Sequence, residues 1–161
     1  MTTLAVKPTK PVKKTVYETE QTPNGHWKIF KHEDGSLYKE YRSDIEFFDK
    51  PLVSIVSGIH PETRTQGCAR GIVAIGPKAA GVVAVGQFCE GYFCLGQFVF
   101  ARVIGVGQFT IAPIAIGQMS LAIAGIGQMG AAILGVYQAG LGFAGYGQSM
   151  VNLSALFESA F

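Results

Sequence analysis

Gly71 to Gly130 reads GIVAIGPKAAGVVAVGQFCEGYFCLGQFVFARVIGVGQFTIAPIAIGQMSLAIAGIGQMG, and the pair Gly-Gln keeps returning through it. It stands at Gly86-Gln87, Gly96-Gln97, Gly107-Gln108, Gly117-Gln118 and Gly127-Gln128, and again beyond this stretch at Gly147-Gln148. Tyr137-Gln138 fills the one slot where the glycine is missing. Successive glutamines are ten residues apart, with a single interval of eleven between Gln97 and Gln108. A short, fixed period of this kind marks a solenoid or array.

A period of five lies inside the ten. Small residues begin each pentad, at Gly81, Gly86, Gly91, Gly96 and Ala101, then from Gly107 and Ala112 onward to Gly147. Two positions later there is usually a bulky apolar residue, as at Phe88, Phe93, Phe98, Phe109, Met119 and Leu134. The fifth position is mostly aliphatic, as at Leu95, Ile116 and Ile126. In an extended chain, positions one, three and five share a side. The pattern therefore predicts that a small and a large residue alternate to fill a narrow interior, with the chain bending where Gly or Ala opens the next pentad.

The helical alternative arises because Val103 to Phe157 carries no formal charge, which a hydropathy window reads as membrane-spanning helix. On a helix, however, a ten-residue step carries each Gln about 80° further round the axis and disperses the amides over every face. Such a helix would also hold a glycine every five to ten residues, at about 1 kcal/mol each relative to alanine. A coil of short strands puts every Gln at an equivalent point. The expected fold class is all-β, a short β-solenoid of about four coils with about 20 residues per coil.

In a 20-residue coil, Gln87, Gln108, Gln128 and Gln148 stack in one column and Gln97, Gln118 and Gln138 in a second, where the amides can hydrogen-bond as a ladder. Alternate pentads carry Tyr92, Arg102, Pro113, Ile123, Ile133 and Phe143 at the corresponding slot. Two orientations fit this set. Facing outward it is an apolar stripe suited to association, and turned inward in a flattened coil it belongs to the core.

Charge is divided along the chain. Twenty of the 24 formal charges lie between Lys7 and Arg70, whereas seventeen of the 21 glycines lie at or after Gly71. The net charge of +2 and the lack of a basic stripe beyond the Lys-rich start argue against a nucleic-acid partner. Residues 1–21 read as a flexible Lys/Pro/Thr-rich arm without an apolar core of signal-peptide length, and an odd count of three cysteines fits a reducing cytoplasm.

Residues 22–65 form a charged hairpin and leader. Asp34-Gly35 between WKIFK and LYKEYR is a hairpin signal, and Trp27, Phe30, Tyr38 and Tyr41 are expected to cover one surface as a lid on the first coil. Residues 66–148 are the repeats. In residues 149–161 the spacing of Leu153, Leu156, Phe157 and Phe161 is helix-like and suits a plug for the last coil.

The leader Pro51-Leu52-Val53-Ser54-Ile55, with Gly58-Ile59-His60-Pro61-Glu62-Thr63 and Ala69-Arg70-Gly71-Ile72-Val73-Ala74-Ile75-Gly76 after it, resembles a family of uncharacterised bacterial proteins. In that family a PLVHIA-G-DPETG-ARGIIAIG-like segment precedes AIGG-type glycine-rich repeats. The likeness spans about Pro51 to Gly147 and implies a β-solenoid, without implying an activity. Here Gln largely replaces the second glycine of each pair. In style alone the chain is also similar to pentapeptide-repeat proteins and to the polymerising bactofilins.

No constellation of catalytic, metal or cofactor chemistry stands out. His26, His32 and His60 are dispersed without metal-ligand spacing, and no phosphate-loop motif occurs. Cys68, Cys89 and Cys94 are expected to be small buried residues, with Cys68 and Cys89 in neighbouring coils. Glu90 and Arg102 are the one opposite-charge pair within the repeats. The expectation is a non-enzymatic structural protein that self-associates into an oligomer, filament or scaffold through its apolar flank and coil ends. A module that binds a heterologous partner or a membrane surface, using that flank and the Lys-rich arm, is the second class.

Overall fold

The computed structural model describes residues 17–154. Its ten strands are β1 (Glu18–Thr22), β2 (Gly25–Lys31), β3 (Leu37–Ser43), β4 (Glu46–Phe47), β5 (Lys50–Pro51), β6 (Val53–Ser57), β7 (Cys68–Ile75), β8 (Lys78–Ile111), β9 (Ile114–Tyr146) and β10 (Ser149–Asn152). β1, β2 and β3 form an antiparallel meander, β3 pairs antiparallel with β6, and pairing is parallel from β6 through β10. β4 and β5 make a separate two-stranded hairpin. The architecture is an all-β solenoid headed by a hairpin sheet.

The coil is half the size expected. Gly71 lies opposite Gly81, Ile104 opposite Ile114, Gly107 opposite Gly117 and Ser149 opposite Ala139. One turn therefore takes about ten residues, and the body has about eight turns instead of about four. At about 4.8 Å per layer it is a rod of about 40 Å. The long strands β8 and β9 wind through successive coils, and they are separated where Pro113 has no N–H to give. There the Pro113 carbonyl accepts from the backbone N–H groups of Ile123 and Ala124.

The phase of the pentad also differs from expectation. The inward residue is the fourth, and it is small: Ala84, Cys89, Cys94, Val99, Thr110, Ala115 and Ser120 are all buried. The bulky third residues point outward, so Phe88, Phe93, Phe98, Ile114, Met119 and Leu134 are exposed, as are fifth residues such as Leu95, Leu121 and Ile126. In a strand running through positions three, four and five, the middle side chain faces opposite to its neighbours. Two such strands lie back to back in each coil. Their interior is thin: a Cβ added at Gly105 would come within 2.9 Å of Val99 and 2.7 Å of Thr110. A layer this thin closes with ten residues, whereas a four-sided coil needs large inward side chains to fill it.

The glycines that precede Gln are required by close approach, not by turning. A Cβ at Gly86, Gly96, Gly117 or Gly127 would strike the carbonyl oxygen of the residue one coil earlier. Positive φ occurs instead in the cap and leader, where Gly35 (φ 84°) shapes the connection from β2 to β3.

Candidate interaction surface

The ten-residue register gives the exterior two flat faces and two edges. Each face shows a column of third and a column of fifth residues, and each edge shows a column of second residues. All seven glutamines, Gln87 to Gln148, are exposed along one edge, a single column in place of the two expected. Among the described residues no hydrogen bond joins two of these amides. Open grooves of about 520 and 480 Å³ flank the column. The first is floored by Gly96, Gly107, Gly117 and Gly127, and the second is walled by Phe98, Phe109, Met119 and Met129.

The opposite edge carries Tyr92, Arg102, Pro113, Ile123, Ile133 and Phe143. Five of these side chains are exposed and Pro113 is half-buried, so the column faces outward. At its start the Arg102 guanidinium lies over the Tyr92 ring at 5.5 Å and reaches Glu90 at 3.9 Å. This exposed ion pair contributes little to stability. On the face nearest Gln, Phe88 stacks on Phe98 at 4.9 Å with rings 8° from parallel, and Phe109 follows at 6.2 Å. These contacts come from the register itself, which sets identical slots one layer apart.

The four hairpin aromatics do not share a surface. Trp27 pairs with Tyr41 and Phe30 with Tyr38 in the β2–β3 register, and the two pairs are three positions apart along each strand, an odd step that puts them on opposite faces. Trp27 and Tyr41 meet at 5.1 Å on the outer side. Tyr38 is buried and joins the core cluster with Val56, Ala69 and Ala74, with Phe30 packed against it. Its hydroxyl donates to Glu40 at 2.9 Å, and Arg42 Nε donates to the other oxygen of Glu40 at 2.7 Å. Burial pushes the Glu40 carboxyl up, but these two donors outweigh it and hold it below the ordinary range. Burial, with the Glu40 carboxylate adding to it, drives the Tyr38 hydroxyl up.

At the far end Leu153 is half-buried after β10, and Leu156, Phe157 and Phe161 lie outside the described residues. Met150 occupies the interior there, its side chain lying against Gly140 and Gly145. Cys89 and Cys94 are buried on the two sides of one coil, and Cys68 is exposed instead of lining the core. Burial pushes both buried thiols up, Cys94 to about 11, which keeps them protonated and inert. His32 Nε2 lies 2.8 Å from the Ile59 carbonyl, His26 pairs with Asp44 at 3.3 Å, and His60 Nδ1 accepts from the Glu62 N–H at 3.3 Å, so the three rings are used locally and apart.

Two exposed apolar features escape the repeat pattern. One is the pair of flat faces, whose signal was the run of mostly small residues at position four. The other is the β4–β5 tip, where Phe47 and Phe48 meet edge to face at 4.6 Å and Phe48 and Asp49 both have positive φ, the form of a tight hairpin turn. No described helix is long and apolar enough to cross a membrane. In comparisons with known proteins, the chain matches no family model, no curated protein and no solved structure.

Proposed function

We propose that the protein is a non-enzymatic structural element, a β-solenoid that associates with copies of itself into an oligomer or scaffold. The observation that carries this reading is the placement of bulk: small residues fill the interior while large apolar side chains cover both faces and one edge. Monomeric proteins rarely expose contiguous apolar patches beyond a few hundred Å². The resemblance of the leader and repeats to a bacterial solenoid family implies the fold and no activity, and the odd cysteine count agrees with a cytoplasmic setting. The Gln edge supplies hydration along the rod without the charge repulsion that would oppose stacking of copies.

Size-exclusion chromatography with light scattering, over a hundredfold range of concentration, tests the proposal together with negative-stain images of the peak. The expected result is a mass above one chain that grows with concentration. A single monodisperse monomer throughout overturns it. If that monomer instead floats with liposomes, the exposed Phe47–Phe48 tip and the apolar faces act on a bilayer and the second class of function holds.

A further inference from the structure

The two flat faces differ in chemistry. The face that carries Phe88 and Phe98 also carries Lys78 and Glu90, whereas the other presents only apolar residues from Val83 to Tyr146. Ten of its large side chains are exposed, Val83, Phe93, Leu95 and Val103 toward the cap and the other six around a groove of about 380 Å³. At about 90 Å² of exposed surface each, the six around the groove present on the order of 500 Å². Two copies joined through them bury on the order of 1,000 Å² in total, the size at which a specific interface begins.

From Ile114 onward one column of this face has a regular relief. This third-position column runs Ile114, Ala124, Leu134, Ala144, a large residue alternating with a small one at each coil, and the hollows over Ala124 and Ala144 belong to the groove. A twofold axis lying in the interface, across the rod and midway between the coils of Ala124 and Leu134, brings such a face against itself antiparallel. Ile114 then meets the partner's Ala144 and Leu134 the partner's Ala124, so each projection of this column enters a hollow. In the fifth-position column Ile116 faces the partner's Tyr146 and Ile126 the partner's Val136. A surface of this kind is self-complementary and isologous. A bilayer has no use for alternating relief. We infer that this face pairs with the same face of a second copy in that antiparallel register, an inference that rests on the self-association reading and gives it a geometry.

Two measurements test it in a Cys68→Ser background, where the remaining thiols are buried and protonated. The double variant Ile114→Cys with Ala144→Cys is treated with a short, rigid bismaleimide, which suits the about 10 Å between packed sheets. It should give a covalent dimer, and either single variant at most a trace, since like positions lie about 17 Å apart across the pair. Separately, Ala144→Leu fills the hollow and should weaken the dimer by about tenfold to a hundredfold. Adding Ile114→Ala to it swaps the relief and should restore the dimer. Equal crosslinking of the single and double variants, or no rescue by the swap, overturns the antiparallel pairing while light scattering still reports association. A monomer in light scattering removes both proposals.

Discussion

Tyr137 stands where the repeat otherwise has glycine, and its side chain is only 2% exposed. The ring turns into the interior where four successive fourth positions, Gly125, Gly130, Gly135 and Gly140, leave space. A Cβ added at Gly125, Gly130 or Gly135 would fall on the ring or its hydroxyl. The hydroxyl and Ser120 Oγ are 2.7 Å apart and satisfy each other in a buried setting. One large residue thus supplies the volume that four small ones withhold. Tyr137→Gly restores the repeat consensus yet should destabilise the protein by about 3–5 kcal/mol, as large-to-small core changes do. Tyr137→Phe keeps the ring and should cost about 1 kcal/mol for the lost hydrogen bond. Chemical denaturation of both variants checks this, and a Gly variant as stable as the parent would mean the interior closes without the ring. From the sequence, Tyr137 was legible as an exception to the rhythm. Its direction was not, because the same residue at the neighbouring outward slot would have kept the period equally well.

At the scale of elements, the hairpin was legible because Asp34-Gly35 carries a local signal that no tertiary contact needs to confirm. Asp34 accepts from the Ser36 N–H at 3.0 Å and hydroxyl at 2.7 Å, and β2 and β3 pair on either side. Which face met the coil was not legible, since Trp27/Tyr41 and Phe30/Tyr38 are equally aromatic and only the mate decides. Tyr38 faces the core and brings Glu40 and Arg42, two and four residues on, to the same side of β3. The native pKa of Glu40 lies below that of the unfolded chain, so the unfolded chain takes up the proton first as pH falls. The stabilisation is complete above the ordinary carboxyl range near about 4.3 and is lost as pH drops through the lower native value. Glu40→Gln should therefore cost about 1–2 kcal/mol at neutral pH. The gap to the parent should shrink as pH is taken from neutral toward 3, below the carboxyl range. Urea unfolding of both proteins across that range measures the gap, and a gap that stays constant with pH would remove the charged hydrogen bonds from the account of the cap.

For the whole molecule, the period announced a solenoid, but a ten-residue and a 20-residue coil both place every Gln at an equivalent point. Only the volume of the inward residues separates them, and that volume depends on which pentad position faces in. Once the fourth position is inward, the coil must be thin, and the bulk that a wider coil would have enclosed is displaced to the surface. The same displacement shapes assembly. An antiparallel pair joined through one face is closed by its twofold axis and cannot grow. Growth needs a second surface, and the edge with Ile123, Ile133 and Phe143 lies free beside that face, each residue more than half exposed. Replacing all three by serine opens no cavity, so the melting temperature should hold within the range of surface substitutions, about 0.5 kcal/mol per site. Light scattering at high concentration should then find the mass limited to two chains, where the parent continues to larger species. A variant that unfolds would make these side chains part of the core. One that assembles as far as the parent would leave the coil ends as the surface along which the rod grows.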